Sequence, residues 1–361
     1  MGSAPKIAID ARMVSRSGIG TCIQHWLRDV GYSVALGDPK DLETYGEVPT
    51  HIPFISGIYG YKEQLKFPYS KLRKEKPDVL HIPHCNVPLF YRGKMIVTVH
   101  DLTHLVYPEF LPMKVVHLYF KFIFWFICKR ANRILTDSES TKRDLLRFYK
   151  ADESKMTVVP LGVGSEFVRK PKSDVEYLYE KFNIPRDKKI ILYVGNLLPH
   201  KNLNGLLEGF AQMEGKENCR LVLVGKAFDG RTRETREKDL GVENLTIHAG
   251  MVSQDDLVNF YNLADLFVLP SLYEGFGLPV LEAFACGTPV ACSNVSSLPE
   301  VGGNVAKYFD PKDAASIARA IENAIDDKGK YDSEIDAWVS KFTWENSARQ
   351  IREIAAEVAA K

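Results

Sequence analysis

Short runs of β-branched and apolar residues alternate along the whole chain with amphipathic stretches of helical period, which leaves few architectures open. In the first half Lys6–Asp10, Asp78–Ile82, Met95–Val99, Arg133–Asp137 and Met156–Val159 read as strands. In the second half Lys189–Asn196, Arg220–Gly225, Leu245–His248, Asp265–Pro270 and Pro289–Ser293 read the same way, with helical segments such as Asn202–Met213 and Asp255–Leu263 between them. Strands that alternate with helices return to their sheet in parallel, so the pattern predicts doubly wound parallel sheets with helices on both faces. At about 150 residues per domain, two such sheets fit a chain of 361. The break is expected after Pro160-Leu161-Gly162-Val163-Gly164, where Lys170-Pro171-Lys172-Ser173-Asp174 reads as a polar linker, so that the second domain begins near residue 170.

Composition removes several classes. Apolar residues make up 45% and charged residues 26%, as in an ordinary soluble globular protein, which sets aside disorder and small disulfide scaffolds. The longest apolar run of the aromatic stretch, Phe122 to Cys128, has seven residues, far short of the roughly 18 that a bilayer span needs. Six scattered cysteines without a C-x-x-C pair fit free thiols in a reducing compartment, and no secretion signal is visible, so the chain is expected in the cytoplasm. Net charge is +1, and no nucleic-acid partner is expected. The balance is uneven: residues 1–160 hold 23 cations against 16 carboxylates, or +7, and the remainder 24 against 30, or −6. Met113–Arg130 is rich in aromatic residues and bounded by cations, either a packed helix or a point of peripheral contact with the inner face of a membrane.

In open α/β sheets ligands bind outside the carboxyl ends of the strands, so the loops there hold the candidates. After Pro270 comes Ser271-Leu272-Tyr273-Glu274-Gly275-Phe276-Gly277-Leu278, then a helix expected to carry Pro279 in its first turn and to stop at Gly287. The amides of Phe276, Gly277 and Leu278 would form an anion-binding helix start, with Gly275 and Gly277 allowing close approach. Glu274 in the loop and Glu282, expected in the first turn of the helix, offer paired acceptor oxygens to vicinal hydroxyls. A second loop, Val194 to Leu203, carries Asn196 and Lys201, a cation at a helix start that a bound phosphate would explain. Gly18 and Gly20 follow the first strand and precede a helix. Their amides can approach a diphosphate, although Ile23 stands where a dinucleotide fingerprint has its third glycine. His100 ends the strand Met95–Val99 beside Asp101, placed to hydrogen-bond a sugar hydroxyl. No Asp-x-Asp occurs and no residues stand at metal-ligand spacing, so neither metal nor cofactor is expected.

Taken together, Glu274-Gly275-Phe276-Gly277 through Glu282, Cys286-Gly287-Thr288-Pro289-Val290 and Leu298-Pro299-Glu300-Val301 resemble the family 4 retaining glycosyltransferases, whose signature is E-x7-E. Lys201-Asn202 and Pro160-Leu161-Gly162-Val163 match as well. The opening Ile9-Asp10-Ala11-Arg12, Ser17-Gly18-Ile19-Gly20 and Val99-His100-Asp101-Leu102 resemble a mannosyl- and glucosyltransferase-like subgroup. The resemblance implies an α/β GT-B fold of two doubly wound Rossmann-like domains facing a central cleft, with the final helix, about Ser347–Ala360, crossing back to the first. The domains are then 1–168 with 345–361 on the acceptor side, and 169–344 for the nucleotide sugar. It further implies that Glu274 binds donor-sugar hydroxyls, Glu282 the ribose and Lys201 the diphosphate, with His100 near the transferred sugar. Many members have an arginine where this chain has Asn196, which shifts diphosphate neutralisation towards Lys201 and the amides.

The activity so implied is metal-independent, retaining hexosyl transfer from a nucleotide diphosphate sugar, UDP-glucose or GDP-mannose, to an acceptor hydroxyl in polysaccharide or glycolipid assembly. Two other readings stay open: a sugar-nucleotide epimerase of the same fold, and a catalytically silent nucleotide-sugar-binding protein.

Overall fold

The computed structural model describes residues 4–45, 48–56, 61–110, 114–226 and 236–361, with Ser17, Tyr61, Lys62 and Lys114 described by their backbone alone. Two compact units divide it: the first runs to Gly162 and takes back Thr343–Lys361, and the second is Val163–Phe342.

The first unit holds a parallel sheet of seven strands in the order β3-β2-β1-β4-β5-β6-β7. These are β1 Ile7–Asp10, β2 Val34–Gly37, β3 Thr50–Pro53, β4 Val79–Ile82, β5 Met95–Val99, β6 Arg133–Thr136 and β7 Met156–Val158. Every residue of β1, β2, β4 and β5 is buried, as helices on both faces of a parallel sheet require. Sequence pattern missed β2 and β3. In β3 only Ile52 is buried and Pro53 ends the pairing, so an edge strand of four residues shows no apolar run.

The second unit holds a parallel sheet of six strands, β10-β9-β8-β11-β12-β13. Its strands are β8 Lys189–Val194, β9 Cys219–Val224, β10 Thr246–Gly250, β11 Leu266–Leu269, β12 Val290–Ser293 and β13 Lys307–Phe309. The last, three residues long, was not expected. Its core joins Ile191, Leu206, Leu207, Phe210, Leu221 and Val268 across sheet and helix. Leu206, Leu207 and Phe210 are the expected stripe of the helix Leu203–Gln212.

The final helix spans Trp344–Ala360, three residues longer at its start than expected, and packs within the first unit. Ile351, Ile354, Ala355 and Val358 face inward together with Trp344, Ser347 and Ala348. Ser347 Oγ accepts from the buried Trp26 Nε1 at 3.0 Å, and Trp344 stacks on His25 with ring centroids 4.3 Å apart. Lys94 Nζ donates to the Ala359 carbonyl at 2.7 Å, satisfying an end the helix leaves open and opposing its dipole.

Candidate functional site

In the second sheet strand order reverses between β8 and β11, and the loops leaving these strands diverge at that switch point. They are the two loops that hold Lys201 and Glu274, and hydrogen bonds join them. The Asn202 side chain donates to the carbonyls of Pro270 at 3.0 Å and Pro311 at 2.8 Å. The Leu272 amide donates to the His200 carbonyl at 2.7 Å. Lys201 closes a short 3-10 turn, Pro199–Lys201, and the α-helix proper begins two residues later at Leu203. Its Nζ reaches both carboxylate oxygens of Glu274, at 2.7 and 2.8 Å, and Ser271 Oγ donates to Oε1 at 2.6 Å. Lys201 therefore has a partner within the chain, Glu274. Both ends of the pair stay partly open, at 22% and 11% side-chain exposure.

The connection after β12 fixes the same loop from behind. Ser296 Oγ accepts the Glu274 amide at 2.9 Å, and the Ser297 hydroxyl reaches the carbonyls of Phe276 at 2.7 Å and Glu274 at 3.0 Å. Gly277 sits at φ +114°, where an L side chain rarely goes, and a Cβ there would meet Leu298 Cδ2 at 2.8 Å. That turn starts the helix Leu278–Ala285, with Pro279 at its second position. The amides of Phe276, Gly277 and Leu278 find no acceptor among the described residues.

Glu282 is the fifth residue of this helix, not part of its first turn, so complementing the helix dipole does not account for it. Tyr261 donates to its Oε2 at 2.7 Å. Burial pushes the carboxyl up to about 7, against the Tyr261 hydrogen bond and with help from the charge of Glu166. Asn196 is exposed. Beyond it, at the ends of β8, β9 and β10, lies a pocket of about 150 Å³ lined by Leu197, Gly225, His248, Ala249 and Gly250 among others.

The remaining candidates lie in the first unit. Gly18 and Gly20 fall within the helix Ser17–Asp29. The Gly20 amide donates to the Arg16 carbonyl at 2.7 Å, and a Cβ there would meet the Val14 carbonyl at 2.6 Å. Its glycine is thus required by the protein's own backbone, which corrects the expectation that its amide meets a diphosphate. Around Gly18 there is open space.

His100 Nδ1 faces Asp137 Oδ2 at 2.6 Å and Nε2 faces the Pro83 carbonyl at 3.2 Å, so both ring nitrogens meet acceptors. Only the protonated ring donates at both. Burial works against that charge, but the Asp137 carboxylate and the Pro83 carbonyl outweigh it and raise the pKa of the imidazole. With both nitrogens taken, His100 as it stands has none to spare for a sugar hydroxyl. Its partner Asp137 follows β6 just before Ser138, which caps the next helix by accepting the Thr141 amide. A carboxylate at a strand end followed by a serine cap was the signal available in the sequence.

A second group was also missed, at the switch point of the first sheet between β1 and β4. Asp10 pairs bidentately with Arg12 at 2.8 and 2.7 Å. Arg12 also meets Glu63 at 3.0 Å and stacks its guanidinium over Phe54. Burial alone would raise the Asp10 carboxyl, but Arg12 and His84 hold it well below the usual carboxylate range. Among the described residues no cluster of three or more His, Cys, Asp or Glu stands ready for a metal ion.

Residues 174–337 match the family described as glycosyl transferases group 1, and residues 31–167 match glycosyltransferase family 4. The two matches cover most of the chain between them, and it belongs to the group 1/family 4 glycosyltransferases. The O-antigen chain mannosyltransferase B of Escherichia coli is 29% identical over 293 residues, covering 77% of this chain and 74% of that protein. The serotype-specific mannosyltransferase WbdA of the same organism is 31% identical over 361 residues, covering 94% of this chain, which spans only 40% of WbdA. In fold the chain is similar to Anabaena Alr3699/HepE, whose structure holds UDP and glucose, with a TM-score of 0.80 and 18% identity over 98% of this chain and 100% of that one. Two parallel Rossmann-like sheets, with a long C-terminal helix returned to the first unit, are the GT-B fold.

Proposed function

We propose that this glycosyltransferase moves a hexosyl unit, with retention, from a nucleoside diphosphate sugar to a hydroxyl of a saccharide or lipid-linked saccharide acceptor. The observation that carries the reading is the Lys201–Glu274 pair at the switch point of the second sheet, beside three amides without acceptors. A departing diphosphate gathers negative charge, and a cation with preorganised amides stabilises that charge most where water is scarce. An ionised carboxylate offers roughly four lone-pair sites. Lys201 and Ser271 use three of them on Glu274, which leaves room for a donor-sugar hydroxyl and fixes its direction.

In this reading Glu282 accepts from the ribose hydroxyls, Asn196, Gly275 and Phe276 border the diphosphate, and the pocket beyond β9 receives the base. Residues 169–344 bind the donor, and 1–168 with 345–361 serve the acceptor. His100 contributes positive charge near the transferred sugar, and Gly18 gives the diphosphate close access to backbone. The acceptor oxygen bonds to the anomeric carbon on the face the diphosphate leaves, and a phosphate oxygen takes the acceptor proton. The names of the relatives favour a mannosyl unit, from GDP-mannose. UDP-glucose is the second donor, on the likeness to a fold that holds UDP and glucose.

The test incubates the chain with GDP-mannose or UDP-glucose, with and without a saccharide acceptor, and identifies products by mass spectrometry and NMR. A glycoside with the donor's anomeric configuration is expected. Lys201→Ala should lower kcat by about 10²–10³, as loss of one oxyanion-hole donor does, and Glu274→Ala should raise KM for the donor by taking away an acceptor of its sugar hydroxyls. An epimerised donor formed without acceptor, or binding with neither transfer nor donor hydrolysis, would overturn the proposal.

A further inference from the structure

The helix Lys114–Arg130 is one the activity does not use. Its seventeen residues carry four cations and no carboxylate. One face packs into the core of the first unit through Phe120, Ile123, Phe124 and Ile127. The opposite face is also apolar. Val115, Leu118, Phe122 and Trp125, spaced three, four and three residues apart, are 63%, 66%, 46% and 48% exposed, with Lys121 and Lys129 exposed among them. A helix apolar on both faces ordinarily lies buried between two partners. Arg130, at its end, donates to the carbonyls of Tyr91 and Gly93. That joins the helix to a groove of about 280 Å³ where Arg73, Lys76 and Arg92 stand with Tyr69, Tyr91 and the 60% exposed Phe90.

We infer that the exposed face of the helix Lys114–Arg130 docks on an anionic phospholipid surface, Phe122 and Trp125 entering the headgroup layer and the neighbouring groove receiving a lipid phosphate. Charge selects this occupant. A second copy of the chain would bring the same acid-free face and set Lys121 and Lys129 against their own counterparts. A bilayer offers negative headgroups above apolar chains, matching lysines that flank aromatic rings. Arg130 is committed to backbone carbonyls, so among the described side chains of the helix Lys121 and Lys129 are the cations that can meet lipid.

The test uses the full chain with vesicles of phosphatidylcholine, alone or with 30% phosphatidylglycerol. Of four tryptophans, Trp26 and Trp344 are buried and Trp338 is partly so, leaving Trp125 as the exposed reporter. Anionic vesicles should shift tryptophan emission to the blue and carry the chain in flotation at least tenfold more than neutral ones. Trp125→Phe should remove the blue shift and keep flotation. Lys121→Glu with Lys129→Glu should cut partition tenfold or more, as should Phe122→Ser with Trp125→Ser, with melting temperature as a check on folding. Equal binding to both vesicle types, binding untouched by charge reversal, or self-association abolished by the double serine variant without vesicle binding would each overturn the inference. None of these outcomes depends on transfer activity, so failure here leaves the proposed reaction standing, and failure of that reaction leaves the docking.

Discussion

In the folded chain the Glu282 carboxyl ionises near pH 7, against 4.5 for an unhindered glutamate, chiefly because it is buried. Below 4.5 the group is protonated in both the folded and unfolded states. From there to about 7 the unfolded chain gives up its proton first, so stability falls as pH rises, by roughly 3 kcal/mol in all. Glu282→Gln should therefore leave urea stability at pH 4.5 nearly unchanged and raise it at pH 8, while weakening donor binding by replacing one of two acceptor oxygens with an NH2 donor. An equal gain at both pH values would show that ionisation is not the cause. His100 runs by the same sign with an opposite benefit: its pKa is raised by partners of the charged ring, so its contribution is complete below the ordinary histidine value and fades as pH climbs through the raised one. Asp137→Asn should cost about 1–3 kcal/mol at pH 6 and progressively less towards pH 9. It should also move the alkaline limb of the activity profile to lower pH, a change that a packing defect alone would not produce.

Two glycines at helix starts separate what an element needs from what a ligand needs. Gly277→Ala places a side chain at φ +114° and should destabilise the chain by about 1–3 kcal/mol, seen as a lower melting temperature. Gly18 is in open space within a helix, so Gly18→Ala should be neutral or stabilising by up to about 1 kcal/mol. A fall in turnover in that stable variant supports close diphosphate approach at Gly18, and unchanged turnover removes Gly18 from the site. The start at Leu278 was legible because proline, glycine and strand-end patterns are local, whereas the first helix begins at Ser17, ahead of the glycines expected to precede it. The expected ends of β8, β9 and β11 lie within two residues of those found, for the same reason. Long-range links were not legible. Nothing near Glu274 in the chain announces that Ser296 and Ser297 hold its loop, nor does Arg12 announce Glu63. Such partners meet only after the sheet orders its strands, and an edge strand such as β3 hides because one buried side chain leaves no period to read.

At the scale of the whole chain the two units differ in how they are tied. Lys201, Glu274 and Glu282, with the pocket at β8 to β10, all lie within the uninterrupted segment Val163–Phe342, which has its own sheet and core. The first unit is discontinuous: without the helix Trp344–Ala360, Trp26 Nε1 loses its acceptor Ser347 and the Lys94 ammonium loses the carbonyl of Ala359. The buried side chains Trp344, Ile351, Ile354 and Val358 go with them. Removing several large core side chains at once costs more than the 5–15 kcal/mol by which a domain is usually stable. A fragment of residues 163–342 should thus melt cooperatively and gain melting temperature with GDP-mannose or UDP-glucose, through binding to the folded state alone. Residues 1–162 should fail to fold until a peptide of residues 343–361 is added. Cooperative melting of 1–162 by itself would mean that its sheet does not need the returning helix. A folded 163–342 fragment indifferent to both donors and to their free diphosphates would show that Lys201 and the Phe276–Leu278 amides do not suffice to hold a diphosphate.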